Sequence, residues 1–122
     1  MARILVAEDE APVREFVVRA LQHAGHEVVA VADGQHALEK LAEGRFALLV
    51  TDIVMPAVDG IELALKATRD DPELSVLLMT GYPAERQRAF NLEDLIDRVL
   101  AKPFSLDEFL DAVREALATR GL

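Results

Sequence analysis

Short apolar runs alternate with amphipathic stretches along the whole chain. Residues 3–7 read as a short buried strand, apolar from Ile4 to Ala7. After Pro12, the positions Val13, Phe16, Val17, Ala20, Leu21 and Ala24 recur every three to four residues. That spacing predicts a helix, with Pro12 in its first turn and Gly25 at its end. Residues 27–32 are rich in β-formers, and Asp33-Gly34 is expected to turn the chain. Ala37, Leu38 and Leu41 predict a short second helix that stops near Gly44. Residues 47–51 read as a third strand. Met55-Pro56 reads as loop, because proline lacks the donor that a helix interior or central strand needs.

Ile61, Leu63, Ala64, Leu65 and Ala67 predict a helix from about Gly60, closed by Asp70-Asp71-Pro72. Residues 74–79 read as a fourth strand, 84–95 as a weak helix with irregular apolar spacing, and 97–101 as a fifth strand. Ser105 and Glu108 have capping-box spacing, followed by a last apolar stripe of Leu106, Phe109, Leu110, Val113 and Leu117. Five strands alternating with five helices predict an α/β fold, a three-layer sandwich with a parallel sheet between two helical layers. The strands are largely continuous apolar runs, in keeping with burial on both faces. The second strand ends with no reactive group except Asp33, which suits an edge.

Composition narrows the function. The 122 residues are expected to form one domain, 1–122, with no effector domain attached. Cysteine is absent, which excludes disulfides, zinc–thiolate sites and thiol catalysis. No apolar run reaches the ~20 residues of a membrane span, and the N-terminus lacks a signal-peptide pattern. A cytoplasmic location is therefore expected. The net charge of −9 argues against nucleic-acid binding and suits protein partners.

The candidate chemistry sits where strands end. The first runs into Glu8-Asp9, the third into Asp52, the fourth into Thr80 and the fifth into Lys102-Pro103. In an open parallel sheet, ligands bind outside the carboxyl ends of the strands, so these residues would meet. Oxygen ligands of this kind suit Mg²⁺, and Asp9 and Asp52 are the candidate direct ligands, with Glu8 acting directly or through water. A carboxylate can also accept a phosphoryl group as a nucleophile. Lys102 and the Thr80 hydroxyl would then neutralise and hold the transferred oxygens. Taken singly, each residue has a plain alternative. Glu8-Asp9-Glu10 would be a solvated acidic turn, Asp52 a cap, Lys102-Pro103 a loop entry. Four strand ends carrying suitable groups at once favour the joint reading. His23, His26 and His36 lack ligand spacing and read as surface residues.

The same residues resemble the receiver domain of bacterial response regulators. The acidic run after the first strand, the stretch 48–60 around Asp52 with Met55-Pro56 and Asp59-Gly60, Thr80-Gly81, and 101–104 around Lys102 carry the likeness. The resemblance implies a flavodoxin-like doubly wound sheet in the order 2-1-3-4-5. It implies Asp52 as phosphoacceptor, with Thr80 and Lys102 as its catalytic partners. It implies Mg²⁺, with Mn²⁺ as a substitute, held by Glu8, Asp9, Asp52 and the Val54 backbone carbonyl. The donor would be a histidine kinase or a histidine phosphotransfer protein, docking near 11–15. Output would run through a face made by 84–100 and the exposed side of 105–118.

Two departures stand out. Val99 occupies the position where many receivers have an aromatic switch residue, and Leu95-Ile96 replace a usual Gly-Ala pair. Tyr82 is the expected substitute for that aromatic, so the switch set is Thr80, Tyr82 and Val99. Stretches 51–56, 80–82 and 99–106 are most similar to stand-alone CpdR-type regulators, and also to receivers of hybrid sensor kinases. The former likeness implies a ClpXP-type protease as output partner. The rival is a small phosphatase with an Asp nucleophile. Such enzymes expect a second Asp two residues after the first, where Val54 stands. A non-phosphorylated interaction domain would more naturally have lost an acid or Lys102. The chain is accordingly expected to accept a phosphoryl group and hydrolyse it, without turnover on a separate substrate.

Overall fold

Five strands, β1 (Arg3–Ala7), β2 (Glu27–Val31), β3 (Leu48–Asp52), β4 (Ser75–Thr80) and β5 (Arg98–Ala101), pair in parallel in the order β2-β1-β3-β4-β5. The computed structural model describes residues 1–81 and 98–118. Its helices are α1 (Ala11–His23), α2 (Gly34–Glu43), α3 (Gly60–Asp70) and α4 (Leu106–Ala118). The expected helix over 84–95, Leu95-Ile96 and Tyr82 lie outside the described residues.

The two-residue period of the strands divides the core. Leu5, Ala7, Leu49, Ile53, Val76 and Leu78 face one way, toward α2 and α3. Ile4, Val6, Leu48, Val50, Leu77 and Met79 face the other, toward α1 and α4. Both faces are covered, so the central strands carry no polar alternation. Each fully buried Leu, Ile or Phe contributes about 1.5–3 kcal/mol. Register brings the strand ends level. Ala7 lies opposite Thr51, Asp52 opposite Met79, and Thr80 opposite Ala101. The edge position of β2 follows the expectation.

The helix stripes are narrower than their sequence period. In α4 the buried arc is Phe109, Ala112, Val113 and Ala116, and Leu106 is 46 % exposed. In α1 it is Val17, Ala20 and Leu21, and Phe16 is 41 % exposed. The alanines let the helix axis approach the sheet, which rotates the bulkier neighbours outward. The capping box is present: Ser105 Oγ accepts from the Glu108 amide at 3.1 Å, and Glu108 Oε1 accepts from the Ser105 amide at 2.9 Å.

Asp33-Gly34 differs from the expected turn. Asp33 is the N-cap of α2, accepting from the His36 amide at 2.8 Å, and Gly34 is already helical. A side chain at Gly34 would meet the Val58 carbonyl oxygen at 2.5 Å, so close packing selects glycine there. The histidines are also less idle than expected. His26 Nδ1 accepts from the Ala2 amide at 3.1 Å, which ties the N-terminus to the turn before β2. His36 Nδ1 lies 2.8 Å from Asp33.

The Asp33–His36 contact predicts a titration. The hydrogen bond to Asp33, helped by its charge, raises His36 above its ordinary 6.5. The His36 amide, then its ring, lowers Asp33 below its ordinary 3.8. His36 therefore adds stability in full below 6.5, lost as pH rises through its raised value. Asp33 adds it above 3.8, lost as pH falls through its lowered value. In NMR titration, His36 should fall back toward 6.5 in Asp33→Asn, and the Tm gap between the two proteins should be widest between 3.8 and 6.5. An unchanged His36 titration would show that the pair does not form.

Candidate functional site

Asp52 is the last residue of β3 and is 6 % exposed. Two features hold the chain around it. The Ile53 amide donates to Met79 O at 3.0 Å, so the β3–β4 ladder extends one residue past Asp52. The Gly60 amide donates to Ile53 O at 2.8 Å, which draws the start of α3 against the strand end. A Cβ at Gly60 would stand 2.0 Å from the Asp52 carbonyl oxygen. Asp59 caps α3 by accepting from the Glu62 amide at 2.8 Å. In the loop between, Ala57 has φ 66°, a left-handed conformation that costs an alanine about 1–2 kcal/mol.

Glu8 follows β1 and has no exposed surface. Its amide donates to Val31 O at 3.1 Å, and its carbonyl accepts from Arg14 Nη1 at 2.9 Å. Lys102 follows β5, and its amide donates to Thr80 O at 2.8 Å. The Lys102-Pro103 peptide is cis. The three elements bring the Lys102 ammonium 2.9 Å from Glu8 Oε1, 3.3 Å from Asp52 Oδ2 and 3.8 Å from Glu10 Oε1. Thr80 is 1 % exposed at the end of β4.

Burial governs the charges. It raises the pKa of Glu8, with the nearby Asp52 adding to the rise and the Lys102 and Glu10 hydrogen bonds opposing it. Burial also raises Asp52, against the pull of Lys102 and with a further push from Asp9. Burial alone would lower Lys102, but Glu8 and Asp52 outweigh it and the net shift is upward. The ammonium is thus held charged by the acids that most need it.

Of the residues singled out in the sequence, Glu8, Asp52 and Lys102 are in direct contact. Thr80 joins through the Lys102 backbone. Asp9 is exposed, and its charge acts on Asp52. It lies outside the tight carboxylate group, which is Glu8, Glu10 and Asp52, with oxygens within 4.8 Å of one another. Glu10 was passed over in the sequence because it precedes the α1 pattern and looked like part of a solvated turn. It is the N-cap residue of α1, a position that places it above the strand ends. Glu8 contradicts the solvated-turn alternative outright, being fully buried. Val54 is exposed in the loop after β3, and Val99 is half-buried beside Leu78, packed against the α2–α3 side of the core.

The donor set fits a hard divalent cation. Glu8, Glu10 and Asp52, with Asp9 close enough to act on Asp52, face one ammonium, which leaves negative charge uncompensated. Beside the acids, Glu10, Pro12, Val13, Phe16, Lys102, Pro103 and Phe104 line a cavity of about 490 Å³. Phe104 stacks on Phe109 with ring centroids 5.5 Å apart and tilts against Phe16 at 6.2 Å.

An acidic cluster, a buried acid at the end of central β3 and a lysine after edge strand β5 define a receiver-type site on a doubly wound sheet. Comparison with known proteins agrees. The family model for the response regulator receiver domain matches residues 4–114, and the chain belongs to that family. It is 43 % identical over 117 residues to the response regulator receiver protein CpdR of Brucella abortus, covering 96 % of this chain and 98 % of that one. It is 39 % identical over 119 residues to the transcriptional regulatory protein TcrA of Mycobacterium tuberculosis, covering 98 % of this chain and 47 % of TcrA. Among solved structures, the CheY-like receiver domain protein of Methanospirillum hungatei superposes with a TM-score of 0.91 at 27 % identity, over 99 % of this chain and 97 % of that one. The Thermotoga maritima response regulator TrrA, in complex with Mg(2+)-BeF, gives 0.85 at 31 % identity, over 95 % and 99 %. This is therefore a response regulator receiver domain of the two-component type. Among the described residues, no helix is long and apolar enough to cross a membrane.

The Gly60 contact predicts a cost. Gly60→Ala must push α3 away from the Asp52 carbonyl, and urea unfolding should show a loss of about 2 kcal/mol or more. An unchanged midpoint would mean that α3 does not press on the strand end as described.

Proposed function

We propose that this receiver domain is a phosphorylation-dependent switch in which Asp52 is the phosphoacceptor. The observation that carries the reading is the Lys102 ammonium shared between Glu8 and Asp52 at the strand ends, level with Thr80. An Asp52 oxygen attacks the phosphorus of a phosphohistidine. The O–P bond forms as the N–P bond breaks, and the freed imidazole nitrogen takes a proton. Lys102 and the Thr80 hydroxyl hold the transferred oxygens. Asp9 and Asp52, with the Val54 carbonyl and with Glu8 through water, would hold Mg²⁺, or Mn²⁺ in its place. That cation would neutralise charge on the phosphoryl oxygens when bound. The domain accepts and later hydrolyses its own phosphoryl group and turns over no other substrate.

The donor is a histidine kinase or histidine phosphotransfer protein. The apolar cavity between Pro12, Phe16 and Phe104 opens beside Lys102, where a donor helix would seat. Phosphorylation adds about two negative charges, and Thr80 would follow them. That shifts the face formed by 98–100 and the exposed side of α4 between two populations. Tyr82 and Val99 belong to this switch. The likeness to CpdR makes a ClpXP-type protease in the cytoplasm the output partner to test first.

Incubation with Mg²⁺ and acetyl phosphate should add one phosphoryl group by intact mass, lost in Asp52→Asn and with EDTA. No adduct with any donor would refute the proposal, and sustained hydrolysis of free phosphate esters would favour a phosphatase.

A further inference from the structure

At the end of the sheet away from Asp52, the last turns of α2 and α3 border a second cleft. Leu38 and Leu41 from α2, Ala67 from α3 and Phe46 from the turn before β3 line a cavity of about 360 Å³. The two leucines are half-buried and pack on the core, and Phe46 is buried. The floor is held from β1. The Arg3 guanidinium lies 4.3 Å from the centre of the Phe46 ring and donates to the Arg45 carbonyl at 3.0 Å. It fits against Gly44, where a Cβ would stand 2.8 Å from Arg3 Nη1.

The rim is acidic. Glu43 is the last residue of α2, Asp70 the last of α3, and Asp71 its C-cap. All three border the cleft, against one cation, Arg45. A helix C-terminus is the negative end of its dipole and favours Lys or Arg. Two helices that end in acids at one cleft run against that preference, and such departures concentrate at functional sites. The contacts of Glu43 with Lys40 at 3.6 Å and of Asp70 with Arg69 at 3.7 Å are long and exposed, so they offset little of this charge.

We propose that this cleft docks a partner peptide in which a bulky apolar side chain stands next to Lys or Arg. The apolar side chain fills the space over Phe46, and the cation meets Glu43, Asp70 and Asp71. The rim charge disfavours anionic occupants, nucleic acid and acidic lipid alike. A metal ion is a poor fit as well. Among the described residues, the group of acids drawn close enough to hold one is Glu8, Glu10 and Asp52, not these. The cleft stands apart from the phosphoacceptor by the length of a five-residue strand, about 16 Å. A partner held here leaves the groove beside Lys102 open, and its docking does not depend on Asp52 accepting a phosphoryl group.

The test is selection of a random seven-residue peptide display library on the full wild-type chain, followed by titration of each enriched peptide by fluorescence anisotropy. Enriched peptides should carry a bulky apolar residue within two positions of Lys or Arg. Their affinity should fall at least about tenfold in the double variant Glu43→Lys, Asp70→Lys, because reversing two exposed charges turns attraction into repulsion. It should fall likewise in Ala42→Trp, which fills the cleft from an exposed helix position. The double variant should melt no lower than the wild type, since it places cations at helix C-termini. If it does melt lower, Ala42→Trp decides alone. Enrichment of no peptide, enrichment of peptides without a basic residue, or affinity unchanged in the deciding variant would each overturn the proposal. No phosphoryl donor is present, so the outcome is independent of whether acetyl phosphate labels Asp52.

Discussion

The structure depends on one ammonium among buried acids. Lys102 joins β5 to β1 through Glu8 and to β3 through Asp52, across strands far apart in sequence. Without it, two carboxylates would lie close together with little water to solvate them, and one would have to take up a proton. With it, the ammonium opposes the rise that burial imposes on both acids. The surrounding fold serves that arrangement. Parallel register levels the strand ends, and apolar burial on both sheet faces keeps them rigid. Gly60 lets α3 press against the Asp52 backbone.

Much of this was legible in the sequence, for a physical reason. Strands buried on both faces must be apolar, so the polar residue that ends each one stands out. Asp52, Thr80 and Lys102 were visible in that way, and the alternation of elements implied a parallel sheet. The family likeness added the strand order. What was less legible depends on three-dimensional packing. Whether Phe16 and Leu106 are buried turns on how closely Ala20 and Ala112 let their helices approach the sheet. Asp33 reads equally well as a turn or as a cap until the chain beyond it is placed. Glu10 hid in an acidic run, because nothing in one dimension separates the buried Glu8 from the exposed Asp9 and Glu10 beside it.

An exposed aromatic and a half-buried one lie beside the site. Phe16 and Phe104, with Pro12 and Pro103, form a groove that ends at Lys102. Core packing and partner access are therefore linked. In α1, buried Val17, Ala20 and Leu21 face the core while Phe16 on the same helix stays partly exposed next to the site. Val99, packed against the α2–α3 side of the core, carries no aromatic ring that could follow Thr80 toward the last helix. If Asp52 accepts a phosphoryl group as proposed, its route to an output cannot run through an aromatic ring at position 99.

As proposed, Asp52, aided by Lys102 and a divalent cation, holds a phosphoryl group. The most direct measurement is ¹⁹F NMR with beryllium fluoride, a phosphoryl mimic that binds a carboxylate oxygen. Protein-bound fluorine resonances are expected with wild-type protein only when Mg²⁺ is present, absent in Asp52→Asn and weakened in Lys102→Met. No bound resonance in the wild type, or one that survives in Asp52→Asn, would contradict it.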